Sequence, residues 1–137
     1  MRPELFNLII MEVPFLDVLS EMCNNKIPLT TMEYEEWGNP NNKEYYNYIK
    51  KYSPYQNIDL KKQYPNMYIT SYINDSMVSY KVPLRYYEKI IESDVYKRGD
   101  NKLFLDINLE YGHKGASKEN ERIYEELDIN TIILAIN

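Results

Sequence analysis

The strongest constraint on the fold is an alternation of two kinds of apolar pattern. Residues 67–73 (MYITSYI) are β-branched and aromatic and follow Pro65-Asn66, so they read as a buried strand. Residues 102–109 (KLFLDINL) follow the breaker Arg98-Gly99-Asp100-Asn101 and read as another strand. Between them, in 82–92 (VPLRYYEKIIE), Leu84, Tyr87, Ile90 and Ile91 recur at helical spacing, and Pro83 suits a first-turn position. An earlier apolar run, 7–15 (NLIIMEVPF), reads as a third strand. After the last strand, 117–134 carries Ile123, Leu127 and Thr131 as a helical stripe, with Ser117 as its N-cap and Glu119 and Glu121 in the first turn.

Strands alternating with helices imply a parallel sheet with right-handed crossovers. The expected class is α/β, with about three parallel strands and crossover helices. The connection from 17 to 63 is unusually long. It holds Pro28, Pro40, Pro54 and a tyrosine-rich helix candidate at 43–50 (KEYYNYIK). It reads as an irregular excursion that packs over the active-site end of the sheet. The polar stretch 92–101 reads as a solvated loop.

Composition narrows the function classes. A chain of 137 residues, 44% apolar and 27% charged, is one globular domain by length and is not disordered. A net charge of −5 argues against a general nucleic-acid binder. Cys23 is the only cysteine, so an intrachain disulfide or a cysteine metal cluster is excluded. Apolar runs such as Leu8-Ile9-Ile10-Met11 are far too short to span a bilayer, and Met1-Arg2-Pro3-Glu4 does not open a signal peptide. The expectation is a cytoplasmic protein without nucleic-acid or membrane partners, and without a metal or cofactor. The 15 tyrosines, with abundant Asn, Ile and Lys, read as the codon bias of an AT-rich genome.

In open parallel sheets, ligands bind beyond the carboxyl ends of the strands. Asp75 follows the strand 67–73. His113, the only histidine, follows the strand 102–109 in the glycine-flanked sequence Glu110-Tyr111-Gly112-His113-Lys114-Gly115. A carboxylate and an imidazole on neighbouring strand-end loops can hydrogen-bond, which fixes the tautomer and leaves the other nitrogen free as a general base. A turn-forming aspartate and a solvated histidine remain the competing reading. Asp followed by His is the last part of the Ser…Asp…His order of α/β-hydrolases, but no G-x-S-x-G nucleophile elbow is present. Ser117 lies after the histidine, and Cys23 lies on no strand-to-helix turn. A second cluster, 33–40 (EYEEWGNP), places Glu33, Glu35 and Glu36 beside Trp37, the only tryptophan. Spacing alone favours a solvated acidic loop. The alternative is an acidic pocket with an aromatic wall for a cationic side chain.

These residues, taken together, resemble the C-terminal part of the catalytic domain of the prolyl oligopeptidase family of serine peptidases, and within it the oligopeptidase B branch. The matching stretches are Met1-Arg2-Pro3-Glu4-Leu5-Phe6, Val13-Pro14-Phe15 with Asp17-Val18-Leu19, Ile27-Pro28-Leu29-Thr30-Thr31, and 33–40. They continue with Tyr52-Ser53-Pro54-Tyr55, Asp75-Ser76 with Val78 and Tyr80, and Gly112-His113. The resemblance implies that residues 1–137 form the C-terminal portion of an α/β-hydrolase domain, with the serine elbow, the oxyanion donors and a β-propeller upstream of Met1. It implies that Asp75 and His113 are the triad aspartate and histidine. It also implies that Glu33 and Glu35 bind the Arg or Lys before the scissile bond of short peptides, which reverses the preference for a solvated loop. Two departures stand out: Met77 replaces an arginine that contacts substrate backbone in some members, and Lys114 replaces a common glycine.

Two other readings compete with the peptidase fragment: a remnant interaction domain that kept the fold without the chemistry, and half of a split enzyme completed by a separate N-terminal chain. An incomplete sheet also implies self-association through an unpaired strand edge.

Overall fold

The computed structural model describes residues 2–27 and 30–136. Pro28 and Leu29, part of the quoted stretch Ile27-Pro28-Leu29-Thr30-Thr31, lie outside the described residues, as do Met1 and Asn137. The chain divides into two compact units: Met1–Pro14 together with Leu60–Asn137, and Phe15–Asp59.

The first unit holds a three-stranded parallel sheet in the order β1-β2-β3, with β1 at Leu8–Glu12, β2 at Asn66–Tyr72 and β3 at Leu103–Asn108. All three fall where the apolar runs predict them. β1 is shorter than its run. Val13, directly after it, has φ 46°, a left-handed conformation rare for a β-branched residue, and the extended run stops there.

β2 is the central strand, and its Met67, Tyr68, Ile69 and Ser71 are buried. Alternation puts Met67, Ile69 and Ser71 on one face and Tyr68, Thr70 and Tyr72 on the other. The helix predicted after β2 is α4, Lys81–Ile91, which packs along β3. Pro83 sits in its first turn as expected. The buried stripe differs from the predicted one: Val82, Tyr86 and Ile90, spaced by four, are buried, whereas Leu84, Tyr87 and Ile91 are only half-buried on the flanks. Each full burial of such a side chain stabilises by about 1.5–3 kcal/mol.

The stretch 92–101 is not simply a solvated loop. It contains α5, Asp94–Lys97, whose N-cap Ser93 accepts a hydrogen bond from Tyr96 N and donates one to Leu60 O at 2.8 Å. Ser93 and Tyr96 are buried. A serine followed by an aspartate is an N-cap pattern, and here it starts a single turn.

The last helix, α6, spans Glu119–Ile136 and touches β1 and β2. It begins two residues later than predicted. Lys118 O, not a Ser117 cap, receives the first helical bond, from Arg122 N at 3.1 Å. The apolar stripe does not bury: Ile123 is 49% exposed and Leu127 52%.

The second unit bears out the helix expected at 43–50, which is α3 at Lys43–Tyr52, and adds α1 at Val18–Met22 and α2 at Tyr34–Trp37 where an irregular course was expected. Asp17 caps α1 by accepting from Ser20 N at 3.3 Å, and Asn42 caps α3 by accepting from Glu44 N at 2.9 Å, each typically contributing about 1 kcal/mol. Val18, Leu19, Met22 and Ile49 form its core, with Phe15, Tyr34 and Trp37 packed against them.

Candidate active site

The parallel register brings two loops together. Tyr72, the last residue of β2, pairs with Asn108, the last residue of β3. The pairing continues one step further, with Ile73 N donating to Asn108 O at 2.9 Å. The chain after each strand then turns on polar contacts. Asn74 Nδ2 donates to Leu109 O and Glu110 O at 3.5 and 3.3 Å, which ties the two exits to each other. Residues 112–117 follow as a tight loop, closed by Gly115 N donating to Gly112 O at 2.9 Å.

Asp75 and His113 meet at this junction. His113 Nδ1 lies 2.8 Å from Asp75 Oδ2. The aspartate side chain has no exposed surface, while that of the histidine is 36% exposed. The other carboxylate oxygen, Oδ1, accepts from Met77 N at 2.7 Å and Val78 N at 2.9 Å. Both oxygens of a solvent-excluded carboxylate are thus satisfied, as burial of a charge demands. With Nδ1–H donating to Asp75, Nε2 is left with its lone pair, the form a general base requires.

The two departures from the family pattern fit the loop differently. Lys114 is exposed, and the left-handed turn falls on Gly115 instead, at φ 66°. Met77 is 46% exposed and contributes its backbone N–H, not its side chain, to Asp75.

The acidic cluster belongs to the second unit. Glu33 is the N-cap residue of α2 and is half-buried; Glu35 lies in the first turn and is exposed. The chain turns helical directly after Glu33. Residues two apart on a helix are turned about 200° from each other. Trp37 closes α2 and stacks edge-on against Phe15, with ring centroids 5.9 Å apart.

Cys23 is exposed at the end of α1. Partial burial, and secondarily Asp17, push its thiol above the ordinary range, which lowers its thiolate fraction and its nucleophilicity. No group of three His, Cys, Asp or Glu able to hold a metal ion occurs among the described residues.

Two residues that the sequence did not single out touch the histidine loop. Tyr72 Oη donates to Glu125 Oε1 at 3.2 Å, and Glu125 Oε2 accepts from Ala116 N at 3.5 Å. The available signal was a tyrosine placed beside serine and threonine in the buried strand, a polar end that needs a partner.

A sequence model described as the prolyl oligopeptidase family matches residues 1–131. "Protease 2" of Moraxella lacunata is 40% identical over 134 residues, which is 98% of this chain and 19% of that protein. "Dipeptidyl aminopeptidase BI" of Pseudoxanthomonas mexicana is 38% identical over 134 residues, 98% of this chain and 18% of that protein. Among solved structures, oligopeptidase B from Leishmania major superimposes with a TM-score of 0.82 and 39% identity, over 89% of this chain and 16% of that one. The chain therefore spans about a fifth of the length of the curated relatives it matches. Its three parallel strands and helices are the corresponding portion of an α/β-hydrolase domain.

Proposed function

Since the chain belongs to the prolyl oligopeptidase family, we propose that it is the C-terminal portion of a serine-peptidase catalytic domain and supplies the acid–base half of the triad. His113 takes the proton of an upstream serine as that serine attacks the scissile carbonyl, then returns it to the leaving amine. Asp75 holds the imidazole in the Nδ1–H tautomer and stabilises the imidazolium that forms. The observation that carries this reading is the 2.8 Å contact between a solvent-excluded Asp75 and a part-exposed His113. The nucleophile, the oxyanion donors and a gating β-propeller belong to polypeptide upstream of Met1.

The substrates are short peptides cut after Arg or Lys, with Glu33 and Glu35 receiving the cationic side chain. What supports this is the resemblance of 33–40 to the oligopeptidase B branch and the exposure of Glu35 at the start of α2. A guanidinium binds such groups through charge-assisted hydrogen bonds.

A split arrangement, in which the upstream part is a separate chain, draws support from the apolar surface that α6 leaves open: Tyr124 is 68% exposed and Leu134 79%.

The test is to determine the coding sequence upstream of Met1 and express the whole reading frame. An in-frame G-x-S-x-G and arginyl-ester turnover that is lost in His113→Ala are expected. The 137-residue chain alone should show no turnover and no serine labelling by a fluorophosphonate probe. A stop codon directly before Met1 would favour the split enzyme or the interaction domain. Turnover that survives His113→Ala would sink the assignment.

A further inference from the structure

We propose that α6 acts as a polar clamp on the His113 loop, and that Glu125 is a positioning residue whose carboxylate ties that loop to β2. The inference deepens the reading of Asp75 and His113 as the acid–base pair and rests on it.

α6 has no buried residue. Between it and the sheet lies a cavity of about 390 Å³ lined largely by polar groups, among them Glu12, Thr70, Asp106 and Asp128. Apolar packing anchors α6 only in part, since Ile129, Ile132, Ile133 and Ile136 are no more than half-buried, and its first two turns add specific polar contacts. Glu125 accepts from Tyr72 Oη with one oxygen and from Ala116 N with the other. Arg122 Nε donates to Ala116 O at 3.0 Å. Ala116 is 1% exposed, so both backbone polar groups of a buried residue are met by one helix. On the other side of His113, the Tyr111 ring stands edge-on against Tyr72, with centroids 6.3 Å apart. The loop is thus gripped two residues before and three residues after the imidazole.

The grip also runs back to Asp75. Tyr72 ends β2 and lies three residues before Asp75, whose N–H donates to Tyr72 O at 3.2 Å. A Cβ placed on Gly115 would stand 2.6 Å from Tyr72 Oη and 3.4 Å from Glu125 Oε2. The glycine lets the loop backbone close onto this bridge. Burial, and next Glu125, push the Tyr72 phenol up to about 12, so it remains a donor throughout the neutral range. Glu125 therefore joins the strand that carries Asp75 to the loop that carries His113, without touching either residue.

The single histidine makes the test direct. The 137-residue chain is labelled with ¹⁵N-histidine, and the tautomer of His113 is read from its two ring nitrogens by NMR. The wild type should show predominantly Nδ1–H. In Glu125→Ala the ratio of Nδ1–H to Nε2–H should fall about fivefold or more, the scale of one lost hydrogen bond. Glu125→Gln should retain the wild-type ratio, because the amide oxygen can accept from Ala116 N and its NH₂ can donate to Tyr72 Oη. Should Glu125→Ala lose the dispersed amide signals of β2 and β3, Tyr72→Phe, which deletes one oxygen, carries the test with the same expected direction. An unchanged tautomer in a folded Glu125→Ala or Tyr72→Phe variant would overturn the clamp and leave the acid–base pair standing. A wild-type imidazole that reads as free would remove the pair, and the clamp with it.

Discussion

His113 reaches Asp75 across 38 positions of sequence, and the contact joins the exits of two adjacent parallel strands. The carboxylate has nowhere else to turn: its second oxygen is occupied by Met77 N and Val78 N. The imidazole therefore meets a fixed acceptor.

This geometry makes Asp75→Asn informative in the complete reading frame. An amide can keep the shape while presenting its NH₂ to the ring, which favours the wrong tautomer. The expected loss in kcat is about 10⁴-fold, with KM nearly unchanged. Steady-state kinetics on an arginyl amide check it. A loss confined to KM would mean that Asp75 binds substrate and does not orient His113.

Removing the charges of the acidic turn should act on selection, not on chemistry. Glu33→Gln combined with Glu35→Gln is expected to raise KM for arginyl and lysyl substrates about 10- to 100-fold, the scale of charge-assisted hydrogen bonds. A neutral substrate should change little. Equal effects on both substrate classes would return the acidic turn to a solvated surface.

Alkaline pH should unfold the chain through its tyrosines. Burial is the leading cause that pushes the phenols of Tyr68, Tyr72, Tyr86 and Tyr96 up to about 12, against about 10 for an unfolded chain. Below pH 10 these groups are neutral in both states, and their stabilisation is fully present. Between about pH 10 and 12 the unfolded chain releases protons that the folded chain retains, so stability falls across that window. Urea midpoints measured at pH 7, 9 and 11 should be nearly level between the first two and drop at the third. A midpoint unchanged at pH 11 would contradict the burial of these hydroxyls.

The 137-residue chain should associate with itself when produced alone. β1 has a strand partner on one side only among the described residues, and an unpaired edge is a template for another chain. Phe6 is 56% exposed, and α6 presents Ile123, Tyr124 and Leu127 to solvent, an apolar surface that favours association. Light scattering should report dimers or larger species. A monodisperse monomer with one sharp urea transition would point to an independently stable domain.

The sheet was legible because its signals are local. Residues 67–73 and 102–109 each follow a breaker and carry β-branched or aromatic side chains, and both formed strands. Asp75 and His113 could be paired because strand order and loop position decide which exits are neighbours. The helices of Phe15–Asp59 were less legible. α1 and α2 are single turns, made stable by tertiary packing of Leu19, Met22 and Trp37 that no short window reveals. α6 misled in another way. Its periodic Ile123 and Leu127 promised an apolar face, but its contacts with the sheet and loop run through Arg122 and Glu125. Polar residues on a helix carry no periodic sign of which neighbours they will find.

The level pairing of Tyr72 with Asn108 also has a consequence for how a gene of this kind can change. From that pair, the chain travels three residues to Asp75 and five to His113. One residue of extended backbone covers about 3.3 Å, more than the whole 2.8 Å separation of His113 Nδ1 from Asp75 Oδ2. The connecting stretches 73–74 and 109–112 therefore act as a pair of matched rulers. Substitutions within them alter the markings, whereas gain or loss of a single codon in either shifts one side chain past the other. In-frame insertions and deletions should accordingly be far scarcer there than in the part of α6 beyond Glu125, where an added residue only rotates a surface that is largely open to solvent.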